Sequence, residues 1–532
     1  MSSTPIGVEH WSWLEWSHAS WERHAHGRIA PELAGRGHTV ARYVWDTADR
    51  YPDKSAVSID GAGRTFAELR DAVAVVAGWL SERVQMGERV VLVAATSITW
   101  VEVYLGALSA GAAVVLVNPS SSAQELKHLV DDSGAVLVIA DQGTLGGCVS
   151  VGSPAFSLSE HPWAGSVAVS GPREGLAGAD LALLAYTSGT TGRPKGVPLT
   201  HSQLLASIEA ALFSWDWRSE DVVVHALPLY HQHGLGALHA ALCTGSSAAL
   251  LSHFDAVRLA ATASAAGATV LFAVPAIYRR LVDVLETIPL SDAAALRALR
   301  LRICGSAPLD DDLAADIIDR LGAPALVRYG LTESGLDVSQ PLDGAGPGTI
   351  GIPLPGVELR LVHDSIEVGT AAEGEIQLRG PQVFDGYWRN PDATAEAVTS
   401  DGWLRTGDLA ILDAPTAQLR ICGRSKELII TGGLNVHPRE VELALETHPD
   451  VVEAGVAGVP DARWGEQVTA WVVADPGAVL DVAGLMDHVR AQLAPYKCPK
   501  QIYVVSALPR TSMGKLQRAR LAPPTVVARA QT

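Results

Sequence analysis

Residues 186–196 bring hydroxyl groups, glycines and one lysine close together in the chain. The segment reads Tyr-Thr-Ser-Gly-Thr-Thr-Gly-Arg-Pro-Lys-Gly and follows the apolar run 181–185. Glycine lets the backbone approach a ligand closely, so that successive N–H groups can converge on one oxyanion. The hydroxyls add further donors, and Lys195 adds a positive charge. A buried strand that ends in such a loop, ahead of the helical run 202–213, predicts a phosphate-binding site.

Other motifs for nucleotide binding or hydrolysis do not fit the chain. A Walker A loop needs Lys and Ser or Thr directly after its second glycine, whereas Gly192 is followed by Arg193 and Pro194. Pro194 also lacks the N–H that a Walker loop would donate. The dinucleotide-type match at 346–351 leads into the proline-rich residues 352–356 and not into a helix. No G-x-S-x-G segment occurs, so a serine hydrolase is unsupported.

Four further segments follow the phosphate loop along the chain. They are Tyr-Gly-Leu-Thr-Glu-Ser at 329–334, Gly-Trp-Leu-Arg-Thr-Gly-Asp at 402–408, Gly-Arg-Ser-Lys-Glu-Leu at 423–428 and Pro-Arg-Thr-Ser-Met-Gly-Lys at 509–515. In this order and with these separations, the five segments resemble the motifs of the adenylate-forming (ANL) superfamily. That superfamily includes acyl-CoA synthetases, luciferases and the adenylation domains of peptide synthetases. The resemblance runs from Val40 to Arg518, most of the chain.

The resemblance implies a two-step ligase reaction. ATP would activate a carboxylic acid to an acyl-adenylate with release of pyrophosphate, and CoA would then take the acyl group as a thioester with release of AMP. ATP and CoA are therefore the implied cosubstrates beside the acid, and Mg²⁺ is the implied metal. Two anions meet in the first step, so the site needs concentrated positive charge and backbone donors.

Residue roles are carried over from the family motifs one position at a time. Thr332 would contact the α-phosphate, and Glu333 would ligate Mg²⁺. Asp408 is suited to both ribose hydroxyls, because a carboxylate offers two acceptor oxygens at a fixed separation. The full set implied for ATP and AMP is Thr187, Ser188, Gly189, Thr190, Thr191, Gly192, Lys195, Gly305, Ser306, Ala307, Tyr329, Gly330, Thr332, Asp408, Arg424 and Lys515.

Lys515 is the main predicted catalytic residue, and Thr332 and Lys195 are predicted to assist it. Lys515 belongs to a glycine-containing loop that would deliver its charge to the α-phosphate and the carboxylate. In the family, the small C-terminal domain swings about a hinge between adenylation and thiol transfer. Lys426 occupies the hinge position, and Gly432 with Gly433 would replace Lys515 at the site for thiol transfer.

The acid pocket is implied to involve segments 228–234, 274–280 and 305–308. The first two are similar to segments of malonyl-CoA synthetases, in which an arginine pairs with the distal carboxylate. Arg280 matches that arginine, although an exposed helix residue is the competing interpretation. A small dicarboxylate, a medium-chain acid, an aryl acid and a larger natural-product acid all stay open. The residues predicted for this pocket are His231, His233, Tyr278, Arg280 and Ser306.

Two alternatives to the complete ligase stay open at this stage. One is a family variant that catalyses a single half-reaction, either thioesterifying a preformed adenylate or loading a carrier protein. The other is a non-catalytic ligand-binding relative. A carrier protein, a partner adenylating enzyme and a homodimer are accordingly open as partners. Metal binding by His231 and His233 is not predicted, because no further His or Cys cluster lies near them in the sequence.

Bulk properties restrict the class of protein. The 532 residues carry a net charge of −18, which argues against nucleic acid or an acidic membrane as partner. Five scattered cysteines without C-x-x-C spacing suit a reducing compartment. The polar N-terminus has no signal-peptide pattern, so a cytoplasmic location is predicted. The apolar stretch 90–117 is interpreted as strand, buried helix and strand, and no membrane insertion is expected.

Periodicity predicts the elements that must hold these motifs. Apolar strands alternate with amphipathic helices from residue 40 to about 424, which predicts an α/β fold of helix-sandwiched sheets with a small β-rich subdomain. After Arg424 the pattern predicts a small, mobile α+β domain. The predicted divisions are a Trp-rich N-terminal extension at 1–39, a large domain at 40–424, a small domain at 425–518 and a flexible tail at 519–532. We expect the tryptophans of the extension to pack onto the large domain.

Overall fold

The described residues of the protein fall into two compact units. The large unit holds the described residues from 12 to 359 and from 377 to 405, and the small unit holds those from 360 to 376 and from 406 to 522. The computed structural model describes residues 12–25, 38–148, 153–187, 194–344, 346–369, 372–413, 416–432, 434–461, 463–511 and 514–522.

The first part of the large unit builds a mostly parallel sheet with the strand order β6-β5-β3-β4-β7-β8. Its last pair, β7 and β8, is antiparallel. The elements of this part are α1 (Trp13–Ala25), α2 (Val40–Arg50), β1 (Ser55–Ile59), β2 (Ala62–Thr65), α3 (Phe66–Ser81), β3 (Arg89–Val93), α4 (Ile98–Ser109), β4 (Ala113–Leu116), α5 (Ala123–Ser133), β5 (Leu137–Ala140), α6 (Gln142–Cys148), β6 (Ala155–Ser157), β7 (Leu181–Thr187) and β8 (Lys195–Thr200).

A second sheet follows, with the order β15-β14-β13-β12-β11-β9-β10-β1-β2. Strands β10, β9, β11, β12 and β13 run parallel to one another, whereas β14 is antiparallel to β13. Its further elements are α7 (His201–Ser214), β9 (Val222–His225), α8 (Gln232–Thr244), β10 (Ser247–Leu250), α9 (Ala256–Ala266), β11 (Val270–Ala273), α10 (Pro275–Val284), α11 (Leu290–Ala298), β12 (Leu301–Cys304), α12 (Asp311–Leu321), β13 (Leu326–Tyr329), β14 (Val338–Ser339) and β15 (Ile352–Pro353).

The remaining elements are mainly antiparallel strands and the C-terminal α+β fold. They are β16 (Glu358–His363), β17 (Ile366–Glu367), β18 (Gly374–Arg379), α13 (Pro391–Ala397), β19 (Leu404–Asp413), β20 (Gln418–Arg424), β21 (Ile429–Thr431), β22 (Leu434–Val436), α14 (Pro438–Glu446), β23 (Val451–Asp461), β24 (Gly465–Ala474), α15 (Val482–Arg490) and β25 (Gln501–Val505). Strands β16/β17, β19/β20 and β23/β24 form antiparallel pairs. Valines and leucines of α14, α15 and this last pair make one core cluster.

These elements confirm the predicted fold class. The structure has helix-flanked mixed sheets, a β-rich part and a C-terminal α+β fold. Helix α3 begins at Phe66, where the side chains of Thr65 and Glu68 accept from each other's backbone N–H groups. The predicted domain boundary after Arg424 remains a prediction.

The apolar stretch 90–117 forms strand, helix and strand, as predicted. Helix α4 between the two strands is buried on every side, which explains its lack of a polar face. In the part of the chain that the structure describes, no helix combines the length and the apolar character needed to cross a membrane.

Helix α1 packs its tryptophans onto the large unit. Trp13 and Trp16 are buried, and the indole N–H of Trp21 donates to the carbonyl of Val357 at 3.1 Å. Packing of these indoles onto the main body is thereby confirmed for the described part of the N-terminal extension.

Candidate active site

The strands on either side of the phosphate loop, β7 and β8, form an antiparallel pair in the large unit. Thr187, the last residue of β7, is the register partner of Lys195, the first residue of β8. The Nζ atom of Lys195 lies 4.4 Å from the centre of the Tyr387 ring, in cation–π contact. The predicted loop residues Ser188, Gly189, Thr190, Thr191 and Gly192 lie outside the described residues.

The segment with Thr332 and Glu333 meets this strand pair through Tyr387. The Tyr387 hydroxyl donates to Glu333 Oε1 at 2.7 Å, and the N–H of Phe384 donates to the Glu333 carbonyl at 2.9 Å. The carbonyl of Thr332 accepts from Gln232 Nε2 at 2.8 Å. The structure therefore brings Lys195 and Glu333 to one tyrosine, whose role the sequence analysis missed.

The turn after β12 supplies Gly305, Ser306 and Ala307. Ser306 has φ of +68°, and its hydroxyl lies 3.0 Å from Nδ1 of His233. A Cβ atom on Gly305 would come within 2.4 Å of Arg328 Nε, so the glycine is required by close approach. The predicted nucleotide turn and the predicted acid pocket thus meet at Ser306.

Arg328 is a buried cation next to this turn. It lies on β13 and is 7% exposed, and burial lowers its pKa to about 10. It makes no ion pair or hydrogen bond with another described residue, and its Nε is a buried donor without a partner. The buried carboxylate of Asp337 attracts this charge, which favours the charged form of Arg328 and offsets part of the cost of its burial. The signal in the sequence was an arginine directly before Tyr329 in an otherwise apolar strand.

The predicted acid-pocket histidines are neutral. Burial lowers the pKa of His231 to about 4, and burial together with the nearby Arg328 guanidinium lowers the pKa of His233 well below its usual value. Both Nε2 atoms are buried without a hydrogen-bond partner. Neutral imidazoles with a free nitrogen can take part in hydrogen bonds to a polar ligand or to water.

The other two predicted pocket residues differ in environment. Tyr278 is fully buried, and its hydroxyl donates to the carbonyl of Ile303 at 3.1 Å. Arg280 is exposed on α10, close in sequence to Arg279, which pairs with Asp310. The cation that the large unit buries near Ser306 is Arg328, whereas Arg280 stays at the surface.

Tyr329 and Gly330 are two further residues of the large unit that are predicted to bind the nucleotide. Tyr329 ends β13 and is half-buried. Gly330 follows it, and a Cβ atom there would lie 1.9 Å from the carbonyl oxygen of Gly335. Gly330 is therefore fixed by the tight path of the backbone around residues 330–335.

The small unit holds Asp408, Arg424 and Lys515 together. Asp408 and Arg424 are register partners on β19 and β20, and Arg424 Nε lies 2.8 Å from Asp408 Oδ1. Desolvation by the surrounding protein and the charge of Arg424 lower the pKa of Lys515, while Asp408 and Glu427 act in the opposite direction. Part of the Lys515 side chain is nevertheless exposed. The charges of Asp408, Arg424 and Lys515 are thus close enough to influence one another.

The predicted hinge and thiol-transfer residues follow β20. Lys426 belongs to the short 3₁₀ turn Ser425–Glu427. Gly432 has φ of +59°, and its N–H donates to the Trp464 carbonyl at 2.7 Å. A Cβ atom on Gly432 would come within 3.2 Å of the Trp464 ring, so backbone conformation and space both favour glycine here. Gly433 lies outside the described residues.

Magnesium fits this set of residues on chemical grounds. Among the residues that the structure describes, no group of three or more His, Cys, Asp or Glu side chains could hold a metal ion. Glu333 offers a half-buried carboxylate with one oxygen engaged by Tyr387. One carboxylate suits Mg²⁺, which takes most of its other ligands from phosphates and water.

The chain is similar to known proteins over most of its length. The profile of the AMP-binding enzyme family matches residues 44–388, and that of the AMP-binding enzyme C-terminal domain matches residues 440–515. Mitochondrial malonate–CoA ligase ACSF3 of Mus musculus is 36% identical over 459 residues, covering 78% of this chain and 77% of the relative.

Two solved structures are similar over nearly their whole length. The ATP-bound MatB of Rhodopseudomonas palustris is 35% identical with a TM-score of 0.84, and the match covers 90% of this chain and 97% of that one. The o-succinylbenzoate coenzyme A synthetase of Bacillus subtilis in complex with ATP and a magnesium ion is 27% identical with a TM-score of 0.81. That match covers 90% of this chain and 99% of the other.

Proposed function

The chain belongs to the AMP-binding enzyme family and is an acid–CoA ligase, and we propose that its acid is a small dicarboxylate of the malonate type. The enzyme activates a carboxylic acid with ATP to an acyl-adenylate and transfers the acyl group to CoA. Use of ATP and Mg²⁺ follows from the same relatives.

The observation that carries the choice of acid is the buried Arg328, whose Nε donates to no described residue and whose charge is attracted by Asp337 alone among the described carboxylates that act on it. A monocarboxylic acid loses its charge when its carboxylate becomes the acyl-adenylate, whereas a dicarboxylic acid retains a second carboxylate. That carboxylate would accept hydrogen bonds from the buried guanidinium and add to the compensation that Asp337 gives its charge. The name of the mouse relative, malonate–CoA ligase, supports an acid of this class.

The neutral histidines support the same choice. His231 and His233 add no positive charge at neutral pH, so Arg328 supplies the buried positive charge beside Gly305, the residue before Ser306. Ser306 and His233, joined at 3.0 Å, would contact the polar part of the acid. A long apolar acid would leave these groups unpaired, which costs binding energy.

For the adenylation step we assign roles to the chain's own residues. Thr187 and Lys195 would hold the outer phosphates, while Asp408 and Arg424 would hold the ribose hydroxyls. Lys515 would place its ammonium beside the carboxylate and the α-phosphate while the new oxygen–phosphorus bond forms and pyrophosphate leaves. Mg²⁺, when bound at Glu333, would neutralise phosphate charge. After this step, rotation about Lys426 would bring the Gly432 loop to the site for thiol transfer.

A panel of acids tests the substrate assignment. Acid-dependent exchange of pyrophosphate into ATP is measured with malonate, methylmalonate, succinate, butyrate, ferulate and 2-succinylbenzoate, followed by thioester formation with CoA. We expect malonate or methylmalonate to have the highest kcat/KM, with butyrate lower by two orders of magnitude or more. A preference for butyrate or ferulate would overturn the dicarboxylate assignment.

Other aspects stay predictions. A carrier protein in place of CoA, a partner adenylating enzyme and a homodimer are each testable by thioester assays and by measurement of molecular mass. A cytoplasmic location is also a prediction, and the mouse relative is named as mitochondrial.

A further inference from the structure

Tyr387 contacts two groups that have opposite charges. Its ring lies under the Lys195 ammonium, with 4.4 Å from Nζ to the ring centre. Its hydroxyl donates to Glu333 Oε1 at 2.7 Å. Lys195 begins β8 of the six-stranded sheet, whereas Glu333 lies between β13 and β14 of the nine-stranded sheet. One side chain therefore bridges the lysine of the phosphate loop and the carboxylate expected to bind metal.

The backbone around Tyr387 is attached to the same two elements. The N–H of Phe384 donates to the Glu333 carbonyl at 2.9 Å, and the N–H of Trp388 donates to the Gly196 carbonyl at 2.8 Å. The Trp388 indole N–H donates further to the carbonyl of Asp132 at 3.1 Å. Hydrogen bonds on both sides of Tyr387 fix the position of its backbone, so neither of its contacts depends on a freely moving loop.

The contacts of Tyr387 leave the N–H donors of Lys195 and the second carboxylate oxygen of Glu333 free to bind a ligand. A cation–π contact holds an ammonium without engaging its N–H donors, so Lys195 can still donate to phosphate. The hydroxyl engages one oxygen of Glu333, and the other oxygen has no hydrogen bond to a described residue. A carboxylate held by one oxygen presents the second in a fixed direction, as metal-binding carboxylates commonly do.

We propose that Tyr387 is a positioning residue of the ATP-dependent step, whose ring places Lys195 for the outer phosphates and whose hydroxyl orients Glu333 for the magnesium ion. The inference rests on the proposed roles of those two residues. It makes Tyr387 the coupling between phosphate binding and metal binding. The ring and the hydroxyl have separable tasks. The ring acts through Lys195 on the binding of ATP, with or without metal, whereas the hydroxyl acts through Glu333 on the binding of the metal.

Two substitutions separate the tasks. Tyr387→Phe keeps the ring and removes the hydroxyl, whereas Tyr387→Leu removes both. The matched control is Tyr43→Phe, because the Tyr43 hydroxyl also donates to a glutamate, Glu209 Oε1, at 2.7 Å in the same unit. Calorimetry measures the affinity for ATP in the presence of Mg²⁺ and for ATP in EDTA, and pyrophosphate exchange measures the half-saturating Mg²⁺ concentration. Thermal unfolding reports the integrity of each variant.

We expect Tyr387→Phe to weaken binding of the magnesium complex of ATP by about five- to tenfold and to raise the half-saturating Mg²⁺ concentration. Its binding of metal-free ATP should stay within about twofold of that of the unaltered protein. Tyr387→Leu should weaken metal-free ATP as well, by roughly threefold or more. Tyr43→Phe should change neither affinity, although its unfolding temperature falls as much as that of Tyr387→Phe.

Failure of the role proposed for Tyr387 can be distinguished from failure of the proposed function. Unchanged Mg²⁺ dependence in Tyr387→Phe, or an equal loss of both forms of ATP, would overturn the positioning role while the ligase assignment stands. If the unaltered protein itself failed to bind the magnesium complex of ATP, the proposed function and this inference would fall together.

Discussion

Asp408 and Arg424 face each other across the β19/β20 hairpin, with 2.8 Å between Oδ1 and Nε. The carboxylate is almost fully buried, yet its guanidinium partner is partly exposed. The arginine therefore holds one oxygen of Asp408 in place and sets the orientation of the whole carboxylate. This geometry suits a group that accepts from two neighbouring hydroxyls.

Asp408→Asn should remove the discrimination between ATP and its deoxy analogues. We expect the affinity for ATP to fall by about tenfold or more, because a hydrogen bond to a charged acceptor is lost. Affinity for 2′-deoxy- and 3′-deoxy-ATP should fall less, and calorimetry measures all three. Asp413→Asn on the same hairpin, paired with Arg420 at 3.9 Å, is the control. A variant at 408 that still prefers ATP over both analogues would contradict the ribose role.

Lys515→Ala should abolish adenylation far more than thioesterification. Desolvation and the charge of Arg424 lower the pKa of Lys515. An added anion would therefore stabilise its ammonium form. We expect pyrophosphate exchange to fall by two to three orders of magnitude, while thioester formation from a supplied acyl-adenylate changes less than about tenfold. Lys500→Ala in the same unit is the control. Equal losses in the two assays would refute the assignment.

Arg328→Met should change acid selectivity without loss of stability. Methionine has a similar length and no charge, so kcat/KM for malonate should fall by about two orders of magnitude or more, and that for butyrate by less than tenfold. Arg328 makes no hydrogen bond or ion pair with a described residue, and only the longer-range attraction of Asp337 offsets the cost of its burial, so its removal should change the unfolding temperature little. A parallel loss for both acids would indicate a structural role.

Stability should decline as pH falls below about 6.5, through buried histidines of the large unit. Burial lowers the pKa of His201 and His231 to about 4 and that of His225 and His239 to about 3. Since these folded pKa values lie below 6.5, the unfolded chain binds more protons than the folded one. Stability is then fully present above pH 6.5 and is lost toward the folded pKa values.

His239→Gln tests this dependence away from the site. His239 is buried, and its Nε2 lies 2.9 Å from the Tyr104 hydroxyl. Urea unfolding between pH 5 and pH 8 should show a slope against pH that is smaller by up to about 1.4 kcal/mol per pH unit. The exposed His253→Gln is the control. A curve for His239→Gln that runs parallel to that of the unaltered protein would contradict this origin of the acid sensitivity.

The sequence by itself determined the secondary structure and the class of chemistry. Helices α3 and α14 could be predicted from the period of 3.6, and strands β3 and β5 from short continuous apolar runs that are buried on both faces. The hydroxyl- and glycine-rich loop and the four later motifs pointed to the correct family, since close approach to phosphate and ribose restricts residue type locally. The assignment of each motif residue to a role still awaits the experiments above.

Only the tertiary structure decided which charges are buried and which residues meet. Arg280 and Arg328 both lie near aromatic residues in the sequence, yet α10 leaves the first exposed and β13 buries the second. Tyr387 reaches Lys195 and Glu333 because the backbone on either side of it is hydrogen-bonded to Glu333 and to Gly196, which are distant in the sequence. A local pattern reports the faces of one element, whereas burial of a charge depends on the neighbours that the sheet order supplies.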